Sequence, residues 1–162
     1  MSTRGAYGFK CKNKKKVIFS FSDSYFKHLG IILVDFIKNT DKTRLKNKIN
    51  KLTPISKKSS LADTKYWEDQ EKVLKNIYLG VYTQYYEAGA FLENDLFCAY
   101  YYLIDLDDNK FHIYLMGESF LLKSYDLKNI PNTWLEECEA AAKASEKQRS
   151  EYLTKAGSKN PV

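Results

Sequence analysis

The sequence predicts an α+β fold, with a mostly antiparallel sheet built from an N-terminal hairpin and a central hairpin and packed against three to four helices. Three observations carry that expectation. Apolar and polar side chains alternate through residues 3–21, and a denser aromatic and β-branched stretch occupies 96–116. Between and after these stretches apolar residues recur every three or four positions, the period of a helix with one buried face. The chain has 162 residues, 44% of them apolar and 15% aromatic, enough for a single domain with its own core.

The first strand covers residues 3–12. Ala6, Gly8, Lys10 and Lys12 fall on one side and Gly5, Tyr7, Phe9 and Cys11 on the other, as in a half-buried strand. Lys12 to Lys16 reads as a basic turn, and Val17, Phe19 and Phe21 as a second strand paired with the first. Glycine weakens a strand interior, so Gly5 and Gly8 each imply a bulge or the close approach of another element or ligand. The alternation stops at Ser22-Asp23-Ser24. Leu29, Ile32, Leu33, Phe36 and Ile37 then open a largely buried helix. A more polar helix follows over 42–52, capped by Thr40 or Asp41.

Residues 53–64, TPISKKSSLADT, read as a surface loop. A helix is expected from near Asp63 to Gly80, with Tyr66, Gln70, Val73, Leu74, Ile77 and Tyr78 on its apolar stripe. Residues 81–86 fit helix and strand equally. Leu96–Leu106, a turn at 107–109 and Lys110–Met116 make the central hairpin. A loop with a short extension is expected over 117–127. Pro131 with Asn132 or Thr133 opens a last helix from Trp134 to about Leu153. The domain is expected to span 1–153, and 154–162 to be a flexible C-terminal tail.

Charge is unevenly placed: the net is +12 over residues 1–60 and −6 over 61–162. A basic half can serve a polyanion or head-to-tail homo-oligomerisation. It can equally reflect the Lys- and Asn-rich composition of an AT-rich genome. Cys11, Cys98 and Cys138 are odd in number and widely spaced, which is neither a secreted disulfide framework nor a zinc pattern. There is no apolar signal core and no run as long as a membrane span. A cytoplasmic location without a membrane partner is expected. Thirteen tyrosines exceed what a core needs, which places some of them at a surface, interface or cleft.

Most candidate site residues lie near the N-terminus. Arg4 offers a rigid fork suited to carboxylate or phosphate. Asp23, Ser24, Tyr25 and His28 converge with it if the hairpin packs on the helix start, making a site for a nucleotide-like anion. The plainer alternatives are that Asp23 or Ser24 caps a turn and that Arg4 pairs with Asp23. Lys14, Lys15 and Lys16, with the basic helix behind them, are candidates for a nucleic-acid backbone. No zinc finger, helix-turn-helix or phosphate-binding loop accompanies them. His28 and His112 are not spaced as metal ligands, so neither metal nor cofactor is expected. With Met1 removed, Ser2 would present an amine beside a hydroxyl, as in N-terminal-nucleophile hydrolases. Asp23 with His28 is a second enzymatic option.

Thr3-Arg4-Gly5 with Gly8-Phe9, then Asp23-Ser24-Tyr25 with Leu29-Gly30, and later Tyr102-Leu103-Ile104-Asp105 before its turn, resemble blocks in a set of small uncharacterised phage and bacterial proteins. Phe26 stands where those proteins carry proline. The resemblance implies a phage or mobile-element origin and no particular activity. The leading expectation is a non-enzymatic binding protein that engages a nucleotide-like anion or a host protein through its Tyr-rich basic half, in a role such as countering a host defence. A small hydrolase and a non-specific nucleic-acid accessory protein are the alternatives.

Overall fold

The first hairpin forms as its alternation dictates, but with a tighter turn. β1 (Gly5–Cys11) and β2 (Lys14–Ser20) pair antiparallel, from Gly5 opposite Ser20 to Cys11 opposite Lys14. The computed structural model describes residues 3–20, 22–55, 69–93 and 98–158. The turn is Lys12-Asn13 alone, with φ of 51° and 60°, the conformation whose twist matches that of the flanking strands. Lys14 to Lys16 therefore begin β2 instead of making the turn. Asp107 fixes this geometry from across the sheet, accepting the amides of Lys12 at 2.8 Å and Asn13 at 2.9 Å.

Thr53–Pro54 (β3) leaves the expected surface loop to pair in parallel with Gln84–Tyr85 (β4), which settles part of the ambiguous 81–86 stretch as strand. The central hairpin joins β5 (Tyr100–Asp105) to β6 (Lys110–Leu115). A third antiparallel strand, β7 (Phe120–Asp126), follows where a loop is expected from sequence. It lies at the sheet edge, where strict alternation is not required, and the register shifts between Ile113 and Tyr114 on β6. The sheet order is β2-β1-β5-β6-β7. Within it β1 and β5 alone run parallel, from Gly5 beside Tyr100 to Lys10 beside Asp105. Their C-terminal turns thus emerge at the same end, which is why Asp107 reaches Lys12.

One face of this sheet presents Tyr7, Phe9, Ile18, Tyr102, Ile104, Phe111 and Ile113 to the main core. α1 (Ile31–Lys38), α2 (Lys42–Lys51), α3 (Gln70–Leu79) and α4 (Trp134–Ala144) bury their apolar stripes against it. Capping sets the helix bounds: Asp41 accepts the Arg44 amide, Asp69 accepts the Lys72 amide, and Gly80, at φ 76°, ends α3. The buried Tyr7 hydroxyl donates to Gln70 Oε1 at 2.8 Å, so it is not stranded in the core. The opposite face buries a smaller cluster, Ala6, Val17, Tyr101 and Leu103, under Ala88, Phe91 and Leu92.

The last helix is interrupted. α4 stops at Ala144, Ser145 turns its hydroxyl onto the Ala142 carbonyl at 3.0 Å, and α5 (Glu146–Ser158) follows. Helix thus continues past Leu153, where the tail is expected to begin, and 159–162 lie outside the described residues. The expected helix start near Asp63, with Tyr66, also lies outside them. No described helix is long and apolar enough to cross a membrane.

Candidate functional site

Ser24 is the point on which the chain converges between β2 and α1. It is fully buried. Its amide donates to the Thr3 carbonyl at 3.2 Å, and its carbonyl accepts the Tyr102 hydroxyl at 2.7 Å. Asp23 Oδ1 accepts the Thr3 amide at 3.0 Å. Gly5 supplies the room: a Cβ there would stand 2.5 Å from Ser24 Oγ and 2.7 Å from the Tyr100 carbonyl oxygen, distances no side chain tolerates. The Thr-Arg-Gly block, the Asp-Ser-Tyr block and the Tyr102 strand, distant in sequence, therefore meet at one residue.

This clamp aims the next residues outward. Phe26–Gly30 form a single π-helical turn, closed by the Gly30 amide on the Tyr25 carbonyl at 3.2 Å. Such turns are rare and concentrate at functional sites. Gly30 lets Trp134 of α4 approach, since a Cβ at Gly30 would lie 3.0 Å from the indole ring. Between the π turn, the start of β5 and the α4–α5 junction lies a cleft of about 490 Å³.

The cleft has an aromatic floor and a rim of mixed charge. Tyr25 and Phe26 meet Tyr100 edge-on, with ring centroids 5.7 and 5.1 Å apart, a favourable arrangement for ring quadrupoles. Tyr25 nonetheless keeps 46% of its surface exposed. Burial, and then the neighbouring Tyr25 phenol, push the Tyr100 hydroxyl up from its ordinary range, so it stays a neutral donor and acceptor at pH 7. Asp23, Lys27, His28, Glu139, Lys143 and Glu146 complete the wall with Ala142. Lys27 and Glu139 pair at 3.4 Å.

The structure divides the residues predicted from sequence. Asp23, Tyr25 and His28 line the cleft. Ser24 lies beneath it, with its hydroxyl turned to the Ser22 carbonyl at 3.4 Å, and shapes the bend without facing the space. Arg4 is exposed just before β1, outside the residues that line the cleft, and its carbonyl accepts the Ala99 amide at 3.0 Å. Ser2 lies outside the described residues.

Of Lys14, Lys15 and Lys16 at the start of β2, two are engaged within the fold. Lys16 Nζ donates to the carbonyls of Ile49 and Leu52, each at 2.6 Å, and so caps the C-terminal end of α2. Lys42 does the same for α1, donating to the carbonyls of Ile37 and Thr40. Burial lowers the pKa of both amines. Lys15 pairs with Glu118 at 2.7 Å, and Lys14 is exposed. Part of the basic character of the first sixty residues is thus spent on helix ends and ion pairs.

Sequence reasoning misses one polar constellation, on the opposite sheet face. Ser124 of β7 sits directly opposite His112 of β6, with Oγ 2.7 Å from Nδ1. His112 Nε2 lies 3.8 Å from Oδ2 of the buried Asp105, which also faces Lys10 Nζ at 3.5 Å. Asp105 Oδ1 accepts the amides of Asp107 and Asp108, both at 3.0 Å. The polar side of β6 at His112 is legible from alternation; Ser124 is hidden because 117–127 reads as loop. Among the described residues, no group of three or more His, Cys, Asp or Glu side chains is placed to hold a metal ion. No protein-family model matches the chain, and no curated protein or solved structure is significantly similar to it.

Proposed function

We propose that the protein is a small non-enzymatic binding protein whose ligand is nucleotide-like and enters the cleft beside the π turn. The observation that carries this reading is Tyr25, half exposed on an aromatic floor and held there by the clamp at Ser24. A planar base stacks on such a floor with a gain of about 1–3 kcal/mol. On the rim Lys27 and Lys143 stand with His28 against Asp23, Glu139 and Glu146, and Lys27 pairs with Glu139, so the rim has no cationic excess to draw in a polyanion and the aromatic floor carries the recognition. Lys15 and Lys16, engaged by Glu118 and by the Ile49 and Leu52 carbonyls, count against the nucleic-acid alternative. A phage or mobile-element role, such as sequestering a small signal of a host defence, is supported by the resemblance of the three blocks that meet at Ser24.

Native mass spectrometry of the chain as purified from cells, followed by calorimetric titration with nucleoside monophosphates, tests the reading. A retained or added nucleotide at one per chain, weakened at least tenfold by Tyr25→Ala, is the expected result. Failure of any monophosphate to bind, or equal binding by Tyr25→Ala, overturns it.

A further inference from the structure

The polar constellation on the far sheet face has no part in the cleft and follows a chemistry of its own. We propose that Ser124 is a histidine-activated nucleophile that accepts an acyl group from small activated carboxylic esters. The inference rests on three strands placing three side chains in sequence. Ser124 Oγ, exposed on the edge strand, meets His112 Nδ1 at 2.7 Å, and the far ring nitrogen faces the buried Asp105 carboxylate. The 3.8 Å gap is longer than a hydrogen bond, and catalytic contacts of this kind are often long without substrate and tighten in the transition-state complex.

Asp105 acts on the ring by position. Two backbone amides fix its Oδ1, leaving Oδ2 toward Nε2. The carboxylate favours the tautomer with the proton on Nε2, and Nδ1 is then the acceptor for the Ser124 hydroxyl. This is the arrangement of a nucleophile with an oriented base, recognised by geometry and role and not by position in the chain. Around the ring, Asp105 and Asp108 favour the charged imidazole, Lys10 and Lys110 oppose it, and burial is the largest effect, lowering the pKa. The Tyr114 ring lies 6.2 Å away on the same strand. The base is therefore neutral at pH 7.

In the step itself, Ser124 Oγ attacks the ester carbonyl and its proton passes to His112 Nδ1. The Oγ–C bond forms, the bond from carbonyl carbon to leaving oxygen breaks, and the leaving group departs as an alkoxide or phenolate that takes up a proton from the imidazolium or the solvent. A single transfer, leaving an acyl-serine, suffices; turnover is not required of a binding protein.

The test uses the full chain and p-nitrophenyl acetate, with nitrophenolate release followed by absorbance and the acetyl group located by peptide mass spectrometry. The expected result is one acetyl group on Ser124, formed at a rate that rises with pH and levels once His112 is neutral. Ser124→Ala removes that label, and His112→Gln slows it at least tenfold while thermal melting shows both variants folded. Label confined to lysines, or Ser124 labelled equally fast in His112→Gln, overturns the proposal.

Discussion

Gly5 and Ser24 occupy a space that admits only one Cβ. A methyl group on Gly5 would stand 2.5 Å from Ser24 Oγ and 2.7 Å from the Tyr100 carbonyl oxygen. Gly5→Ala is expected to destabilise the fold by about 1–3 kcal/mol, the usual cost of overpacking. Ser24→Gly in the same chain should recover part of that loss by removing one of the two obstacles, while the Tyr100 carbonyl retains the rest. Chemical denaturation of the single and double variants measures both.

The Tyr102 hydroxyl is the second half of this clamp. It is buried, donates to the Ser24 carbonyl at 2.7 Å, and burial holds its pKa well above the ordinary phenol range. Tyr102→Phe keeps the ring and leaves that carbonyl without its donor, a loss of about 1–3 kcal/mol. Hydrogen exchange should show the segment 22–30 opening more often than in the parent chain, with the distant α2 unchanged.

Lys16 separates a structural role from a binding role. Its ammonium bridges the Ile49 and Leu52 carbonyls at the end of α2. Lys16→Met, which keeps the aliphatic stem, is expected to cost about 1.5–3 kcal/mol for the charged hydrogen bonds and to leave nucleotide binding at the cleft unchanged. Denaturation and calorimetry on the same sample read both quantities.

Two titrations on the turn side of the sheet act in separate pH windows. His112 has a folded pKa below 6.5, mainly through burial. Between that lowered value and 6.5 the unfolded chain binds more protons, so stability rises with pH there. Its contribution is lost as pH falls through the window and is flat below it. Asp107 is held below its ordinary 3.8, first by the Asn13 amide, so its contribution is present above 3.8 and disappears as pH falls through the lower folded value. His112→Gln should flatten the first window alone and Asp107→Asn the second alone, in thermal melts taken across pH.

The alternation of Ala6, Gly8 and Lys10 against Tyr7, Phe9 and Cys11 separates the two faces of β1, but the expected half-buried strand is buried on both, since each face packs on its own cluster. The helix caps Asp41 and Gly80 were equally legible, since each acts on its own neighbours in the chain. β7 was not. An edge strand after a bulge has no need of a clean period, and Ser124 was lost with it. At the candidate site, the Asp23 to His28 bend was readable as a break in the alternation, and the glycines as signs of close approach. That Gly5 faces Ser24, and that Tyr100 and α4 wall the cleft, are pairings across 19 or more residues that no local pattern carries. The engagement of Lys16 is hidden for a related reason: a charge in sequence says nothing of the Ile49 and Leu52 carbonyls waiting for it at the end of a helix.

Backbone amide chemical shifts during titration with a nucleoside monophosphate test the binding site most directly. Shifts should concentrate at Asp23, Tyr25, His28, Tyr100 and Glu139, around the cleft that the Ser24 clamp holds open. Shifts centred instead on Lys14 to Lys16, or none at saturating nucleotide, would contradict the placement of the ligand in that cleft.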